Sequence, residues 1–289
     1  MLKRMLAAAI AAAVSVSSAP AADEAVTIKV RRLATGDVVK QEKSDEATET
    51  TIVTAGLQET KQEQKSGNKA VFVDEILEAD GKAIKPAKLK RTYETAEVSQ
   101  GGKKVDVGLA GKTVLIEKGK DKYTYTIDGK PVNRAAAAML EREFDRPGMA
   151  GFEEVMIPKK PVKVGDTWSA DPKEMVKLLE GQMGVDPDNT KVTGKLLKVY
   201  DQSGAKFGVL EFALNIAVTT LKTPMGVLNA TAGSTLTFTI TMDGCIDGSQ
   251  YGGTSKGTVK GDLGIKMPNT EVKITLDGTM DSKAGLSKK

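Results

Sequence analysis

Leu210-Glu211-Phe212-Ala213-Leu214-Asn215-Ile216-Ala217-Val218-Thr219 alternates apolar with polar or small side chains. Thr235-Leu236-Thr237-Phe238-Thr239-Ile240-Thr241-Met242 repeats the pattern with threonine on the second face. A period of two turns one face toward a core and the other toward solvent, so each stretch reads as a half-buried strand. Weaker copies recur at Val26-Ile28-Val30, Val105-Val107-Leu109, Tyr123-Tyr125-Ile127 and Val272-Ile274-Leu276. Turn chemistry lies between such runs: Thr35-Gly36-Asp37, Ala79-Asp80-Gly81, Gln100-Gly101-Gly102, Asp128-Gly129, Gln202-Ser203-Gly204 and Asp243-Gly244. Short turns leave no length for a crossover, so neighbouring strands are predicted to be antiparallel and to form a meander.

Two mid-chain segments break this rhythm. Residues 133–146 place Ala136, Met139, Leu140 and Phe144 on one helical face, and Pro147 stops the helix. In residues 171–183, Asp171 caps, Pro172 suits the first helical position, Glu174 completes a capping box and Gly184 follows the end. Met175, Leu178, Leu179 and Met183 then make one apolar stripe. The stretch from Ile157 to Trp168, which holds the only tryptophan, reads as extended.

The N-terminus carries an export signature. Lys3 and Arg4 supply a positive start, Leu6 to Val16 form an alanine-rich apolar run too short to span a bilayer, and Ala19 and Ala21 stand where a signal peptidase reads small side chains. Residues 1–21 are thus expected to be a cleavable signal peptide and 22–289 one β-rich domain, with 147–157 the best place for a subdivision. The only cysteine, Cys245, is far from that junction, so no lipoprotein-type anchor is expected there. No later stretch reaches the ~20 apolar residues of a membrane helix. The expected location is the periplasm or the extracellular medium.

Basic residues number 42 against 38 acidic, and loss of Lys3 and Arg4 lowers the formal charge from +4 to +2. The charges are interspersed and no basic segment is interleaved with aromatics, which argues against nucleic acid as a partner. One cysteine makes no internal disulfide, so an ordinary hydrophobic core must hold the chain, with Cys245 expected as a small buried side chain. The halves could be distant copies of one β unit, but no fixed-period repeat establishes it.

Several motifs imitate active sites. Gly253-Thr254-Ser255-Lys256-Gly257 fits the nucleophile-elbow pattern, yet the chain has no histidine to serve as base. That absence also excludes histidine-ligated zinc, and no metal site or cofactor is expected. Ser66-x-x-Lys69 and Ser203-x-x-Lys206 have serine–lysine spacing, but both are read as polar turns where lysine stays charged. Gly108-Leu109-Ala110-Gly111-Lys112-Thr113 resembles the end of a phosphate loop, but a strand follows where such a loop needs a helix. Asp186-Pro187-Asp188-Asn189 offers oxygen ligands without the glycine and distal glutamate of an EF-hand, and reads as a polar turn. Paired carboxylates remain open as catalysts: Glu141, Glu143, Asp145, Glu153 and Glu154 cluster in sequence. Against sugar chemistry, Phe, Tyr and Trp together make only 12 residues.

Leu109 to Lys118, Lys122-Tyr123-Thr124-Tyr125 and Pro158-Lys159-Lys160-Pro161-Val162-Lys163-Val164-Gly165-Asp166-Thr167-Trp168 resemble a group of exported, uncharacterised proteins of planctomycete-type bacteria, over about the middle third of the chain. The resemblance implies location and fold and carries over no functional residue. A looser architectural similarity is to the open-barrel periplasmic carriers of lipoproteins and lipids, in which helices cover a curved sheet around an apolar ligand.

The fold expected is therefore mainly β, an antiparallel meander forming a curved sheet or half-barrel with two amphipathic helices inserted mid-chain. The first functional expectation is an exported, non-enzymatic binding or carrier protein for a hydrophobic small molecule or lipid. Its apolar helix faces would be Met139, Leu140, Phe144, Met175, Leu178, Leu179 and Met183. The alternatives are an envelope structural or protein-interaction module, and a carboxylate-based hydrolase with a carboxyl of raised pKa. The bland reading of the same stripes is that they are simply core.

Overall fold

The computed structural model describes residues 24–55, 57–80, 85–145, 152–179, 183–223, 226–267 and 270–286. The expected signal segment lies outside the described residues, as do residues 147–151 of the expected subdivision. The first part of the chain forms β1 (Val38–Ala55), β2 (Gln58–Glu78), β3 (Lys88–Gln100), β4 (Lys103–Val105), β5 (Thr113–Lys118), β6 (Tyr123–Ile127), β7 (Lys130–Pro131) and α1 (Arg134–Phe144). Then come α2 (Phe152–Met156), β8 (Thr167–Ser169), α3 (Pro172–Leu179), β9 (Met183–Gln202), β10 (Ala205–Thr223), β11 (Gly226–Asn229), β12 (Thr235–Cys245), β13 (Gly252–Met267) and β14 (Thr270–Leu286).

All the strands belong to one 14-stranded antiparallel sheet, with the order β7-β6-β5-β3-β2-β1-β14-β13-β12-β10-β9-β8 and β4 and β11 paired to the side. The sheet does not close on itself. Strands run outward from a central β1–β14 pair, which joins the first part of the chain to the last. The architecture is thus the expected mainly-β open sheet with few helices.

Cross-strand partners in an antiparallel ladder share a face, so the register traces one face across the whole sheet. In the first part, Tyr125 faces Ile116, Ile116 faces Leu89, Tyr93 faces Phe72 and Phe72 faces Gln41. The face continues through Gln41 and Ala284 and, two residues along, through Lys43, Ser282, Ser255, Met242, Leu210 and Leu196. Trp168 joins it at the far end, opposite Gly194. Helices at both ends cover this inner face, and the opposite face of β12 to β14 is mostly threonine, lysine and aspartate, exposed on β13 and β14 and partly so on β12.

Two buried clusters occupy the inner face. In one, Leu140, Phe144 and Ala136 of α1 pack on Phe72, Ile76, Leu89, Tyr93 and Ile116. In the other, Met156 and Met175 from α2 and α3 pack on Val192, Leu196, Phe212, Leu214 and Ile216. Trp168 lies so close over Gly194 that a Cβ there would come within 2.4 Å of its ring, and its indole N–H donates to the Met156 carbonyl at 2.7 Å. The Gly-Asp-Thr-Trp run therefore fastens α2 to the sheet.

Several expectations need correction. The second helix ends at Leu179, and Met183 opens β9 instead of completing its stripe. Asp186 to Asn189 form an irregularity inside β9, where Asn215 pairs with Lys191 but Ala217 pairs with Asp186. Asp243-Gly244 is not a turn: both residues pair within β12. Val26-Ile28-Val30 is not a full strand; it touches the fold through single bridges of Val26 to Val162 and Lys29 to Asp247. The length of β1 and β2 was unexpected.

Candidate functional site

The side chains expected to line a ligand site do not meet in one place. Leu140 and Phe144 are buried in the α1 cluster, with Met139 packed at its edge. Met175 is buried in the other cluster, where Leu178, Leu179 and Met183 are half-buried.

A cavity of about 250 Å³ lies at the end of the inner face between these clusters. Its floor is the sheet: Gln41 of β1, Leu210 of β10, Met242 of β12, Ser255 of β13, and Ser282 and Ala284 of β14. Its wall is the chain segment 28–31 with residues 245–251. Alternation leads from that floor onto a stripe of half-buried apolar side chains, namely Ile240 and Phe238 on β12, Val259 on β13, and Met280 and Leu276 on β14. Gly257 and Gly261 leave room for side chains of the neighbouring strands to lie over β13. A Cβ at Gly257 would come within 3.0 Å of the Met280 side chain, and one at Gly261 within 2.8 Å of Leu236.

The wall segment is held by the buried side chains of Val26 and Ile28 and by a few polar contacts. Val26 exchanges two backbone hydrogen bonds with Val162 at 2.8 and 2.9 Å, and the Lys29 amide donates to the Ile246 carbonyl at 2.8 Å. Arg31 forks both oxygens of Asp37 at 2.8 and 2.9 Å, and Arg32 pairs with Glu154. The Arg31 hydrogen bonds lower the Asp37 carboxyl below its ordinary range, against a smaller upward effect of burial.

Beside the cavity lies a buried ionic cluster. The Arg91 guanidinium, 2% exposed, donates to Asp74 at 2.7 and 2.8 Å and to Glu143 of α1 at 2.6 and 3.2 Å, while stacking 3.8 Å from the Phe72 ring centre. Lys43 donates to Glu143 at 2.8 Å, and Gln41 Nε2 donates to Asp74 at 3.0 Å. Burial pushes the Glu143 carboxyl upward, but Arg91 and Lys43 outweigh it and hold the group well below the usual carboxylate range. Glu143 is therefore an anchored anion, opposite to what a general acid needs. Asp145 accepts from the Tyr125 hydroxyl at 2.6 Å and the Tyr123 amide at 2.8 Å.

The other motifs resolve into structure. Ser255 Oγ lies 2.8 Å from Ser282 Oγ, and in Gly253-x-Ser255-x-Gly257 a Cβ at Gly253 would stand 2.5 Å from the Asp243 carbonyl, so this glycine serves close strand approach. Ser66 and Lys69 are in β2 rather than a turn, and an odd separation sends their side chains to opposite faces. In the loop at 108–112, the amides of Gly108, Gly111 and Lys112 donate to Asp106, Tyr93 and Leu109, leaving none of these three for phosphate. Asp186 accepts from the Asp188 amide and from Asn189 Nδ2, and no metal-holding group of His, Cys, Asp or Glu occurs among the described residues. Cys245 is half-exposed instead of buried, its thiol donating to Asp247 at 3.1 Å.

Sequence reading missed both the ionic cluster and the cavity. A signal for the first existed: Leu89-x-Arg91-x-Tyr93 and Phe72-x-Asp74-x-Ile76 each put a charge between two apolar residues of the same parity. No protein-family model matches the chain, and no curated protein is significantly similar to it.

Proposed function

We propose that this protein is an exported, non-enzymatic binding or carrier protein for a hydrophobic ligand. The observation that carries the reading is a cavity whose floor passes without interruption into an apolar stripe on the inner face of an open sheet. At about 250 Å³ it is smaller than the roughly 300–1,000 Å³ of sites that enclose a drug-sized ligand, so it would seat one end of a longer molecule. The remainder would lie on Met242, Ile240, Phe238, Met280 and Leu276, where methionine adapts to varied shapes. Export is supported by Lys3, Arg4, the apolar run and the Ala19 and Ala21 pair. Among the described residues no helix is long and apolar enough to cross a membrane.

Displacement of an environment-sensitive apolar dye by native lipid extract tests the reading. Ala284→Phe, which fills the floor of the cavity, should weaken dye binding severalfold in a protein that keeps its melting temperature within a few degrees. Equal binding by the variant and the parent would locate dye binding elsewhere and count against the cavity.

A second reading, an envelope interaction module, is favoured by the exposed apolar residues Leu57 and Met267 at the neighbouring β1–β2 and β13–β14 hairpin ends.

A further inference from the structure

We infer that the cavity takes the uncharged, hydrogen-bonding head of a long-chain amphiphile, a hydroxyl or amide rather than a carboxylate or phosphate, and that Gln41, Ser255 and Ser282 read it. This rests on the binding function proposed above and narrows its ligand class.

Gln41 is 9% exposed and lines the cavity floor. Its Nε2 donates to Asp74 Oδ2, an oxygen that also accepts from Arg91 Nη2. A carboxylate paired with arginine only accepts, so the amide's NH2 must face Asp74 and its carbonyl oxygen points away. No hydrogen bond to that oxygen occurs among the described residues, and it is not sealed away from the cavity, so it is open to a ligand. On the neighbouring strands, Ser255 and Ser282 hold each other at 2.8 Å. One hydroxyl donates to the other, which leaves the second hydroxyl's proton for a third group. The floor thus offers one fixed acceptor and one free donor, the complement of a hydroxyl or amide.

Charge around the cavity argues against an anion. Of the lining residues, only Arg31 is cationic, and both arms of its fork are taken by Asp37. Asp243, also in the lining, accepts from the Tyr200 hydroxyl at 2.6 Å. The nearby cations Lys43 and Arg91 are committed to Glu143 and Asp74. A carboxylate or phosphate entering the cavity would lose its hydration and find no uncommitted cation. A neutral head meets neither penalty.

The test compares a monoacylglycerol with the fatty acid of the same chain length, by calorimetry on the full purified protein at neutral pH. The monoacylglycerol should bind at least about tenfold more tightly. Ser282→Ala and Gln41→Leu should each weaken the monoacylglycerol by roughly three- to tenfold, the range of one lost hydrogen bond, and leave the fatty acid within about twofold. Ser282→Ala removes no partner of the ionic cluster, so it remains informative if Gln41→Leu fails to fold. Fatty acid binding equal to or tighter than the monoacylglycerol overturns the neutral-head assignment while leaving an apolar-ligand function standing. Failure of both ligands, together with unimpaired dye binding by Ala284→Phe, overturns that function as well.

Discussion

Arg91 and Asp74 sit opposite each other on β3 and β2 and share a two-pronged ion pair, 2.7 Å at its shorter prong, on the apolar face of the sheet. Such a pair adds little over a well-packed hydrophobic pair, but removing one partner strands a buried charge. Here Arg91 also holds Glu143, so it joins two strands to α1. Arg91→Leu should therefore lower stability by about 3–5 kcal/mol. Equilibrium urea unfolding measures it, and a loss under about 1 kcal/mol would mean the cluster does not lock the helix.

Acid should weaken the same lock. Glu143 of this lock, and separately Asp37 at its Arg31 pair, have folded pKa values below their ordinary ones. A depressed carboxyl contributes stability that is complete above its unfolded pKa, about 4 for Glu and Asp, and is lost as pH falls below that value toward the folded pKa. The melting temperature should fall from pH 5 downward, and Glu143→Gln should flatten the fall. An unchanged slope in the variant would place the acid-sensitive group elsewhere.

Gly194 gives the Trp168 indole its seat. Gly194→Val adds bulk where even a Cβ would stand 2.4 Å from the ring, so Trp168 must leave or β9 must shift. Overpacking of this kind costs about 1–3 kcal/mol. The single tryptophan makes displacement visible as a red shift of its emission, and an unshifted spectrum would show the ring still seated.

The segment at residues 26–32 should act as a removable wall of the cavity. Val26 and Val162 form a hydrogen-bonded antiparallel bridge, for which Cα atoms lie about 5.5 Å apart, within disulfide range. Val26→Cys/Val162→Cys in a Cys245→Ser background should take up apolar dye several times more slowly when oxidised than when reduced. Equal rates in the two states would mean the ligand reaches the cavity without opening the wall.

The strands legible in the sequence were those with one wet and one dry face. Leu210 to Val218 and Leu236 to Met242 alternate because their outer faces meet water and their inner faces meet α2, α3 and the cavity. From Ser44 to Thr54, β1 was invisible, since much of that stretch is charged or threonine and its pairing with β14 and β2 holds it in place without a dry side. Asp243-Gly244 looked like a turn because glycine is also what lets β12 approach β13: a Cβ at Gly244 would stand 3.1 Å from the Gly252 carbonyl. The helices were read from their apolar stripes, yet those stripes turned out to pack in two separate clusters. The cavity escaped notice because Gln41, Met242, Ser255 and Ser282 come from strands brought together only by the β1–β14 closure of the two ends of the chain.

Native mass spectrometry, followed by organic extraction, of the protein purified from the cells or medium that produce it tests the binding function most directly. The proposed function requires a stoichiometric neutral amphiphile on the parent protein and its loss from folded Ala284→Phe. A clean ligand-free mass, persisting after exposure to native lipid extract, would contradict it.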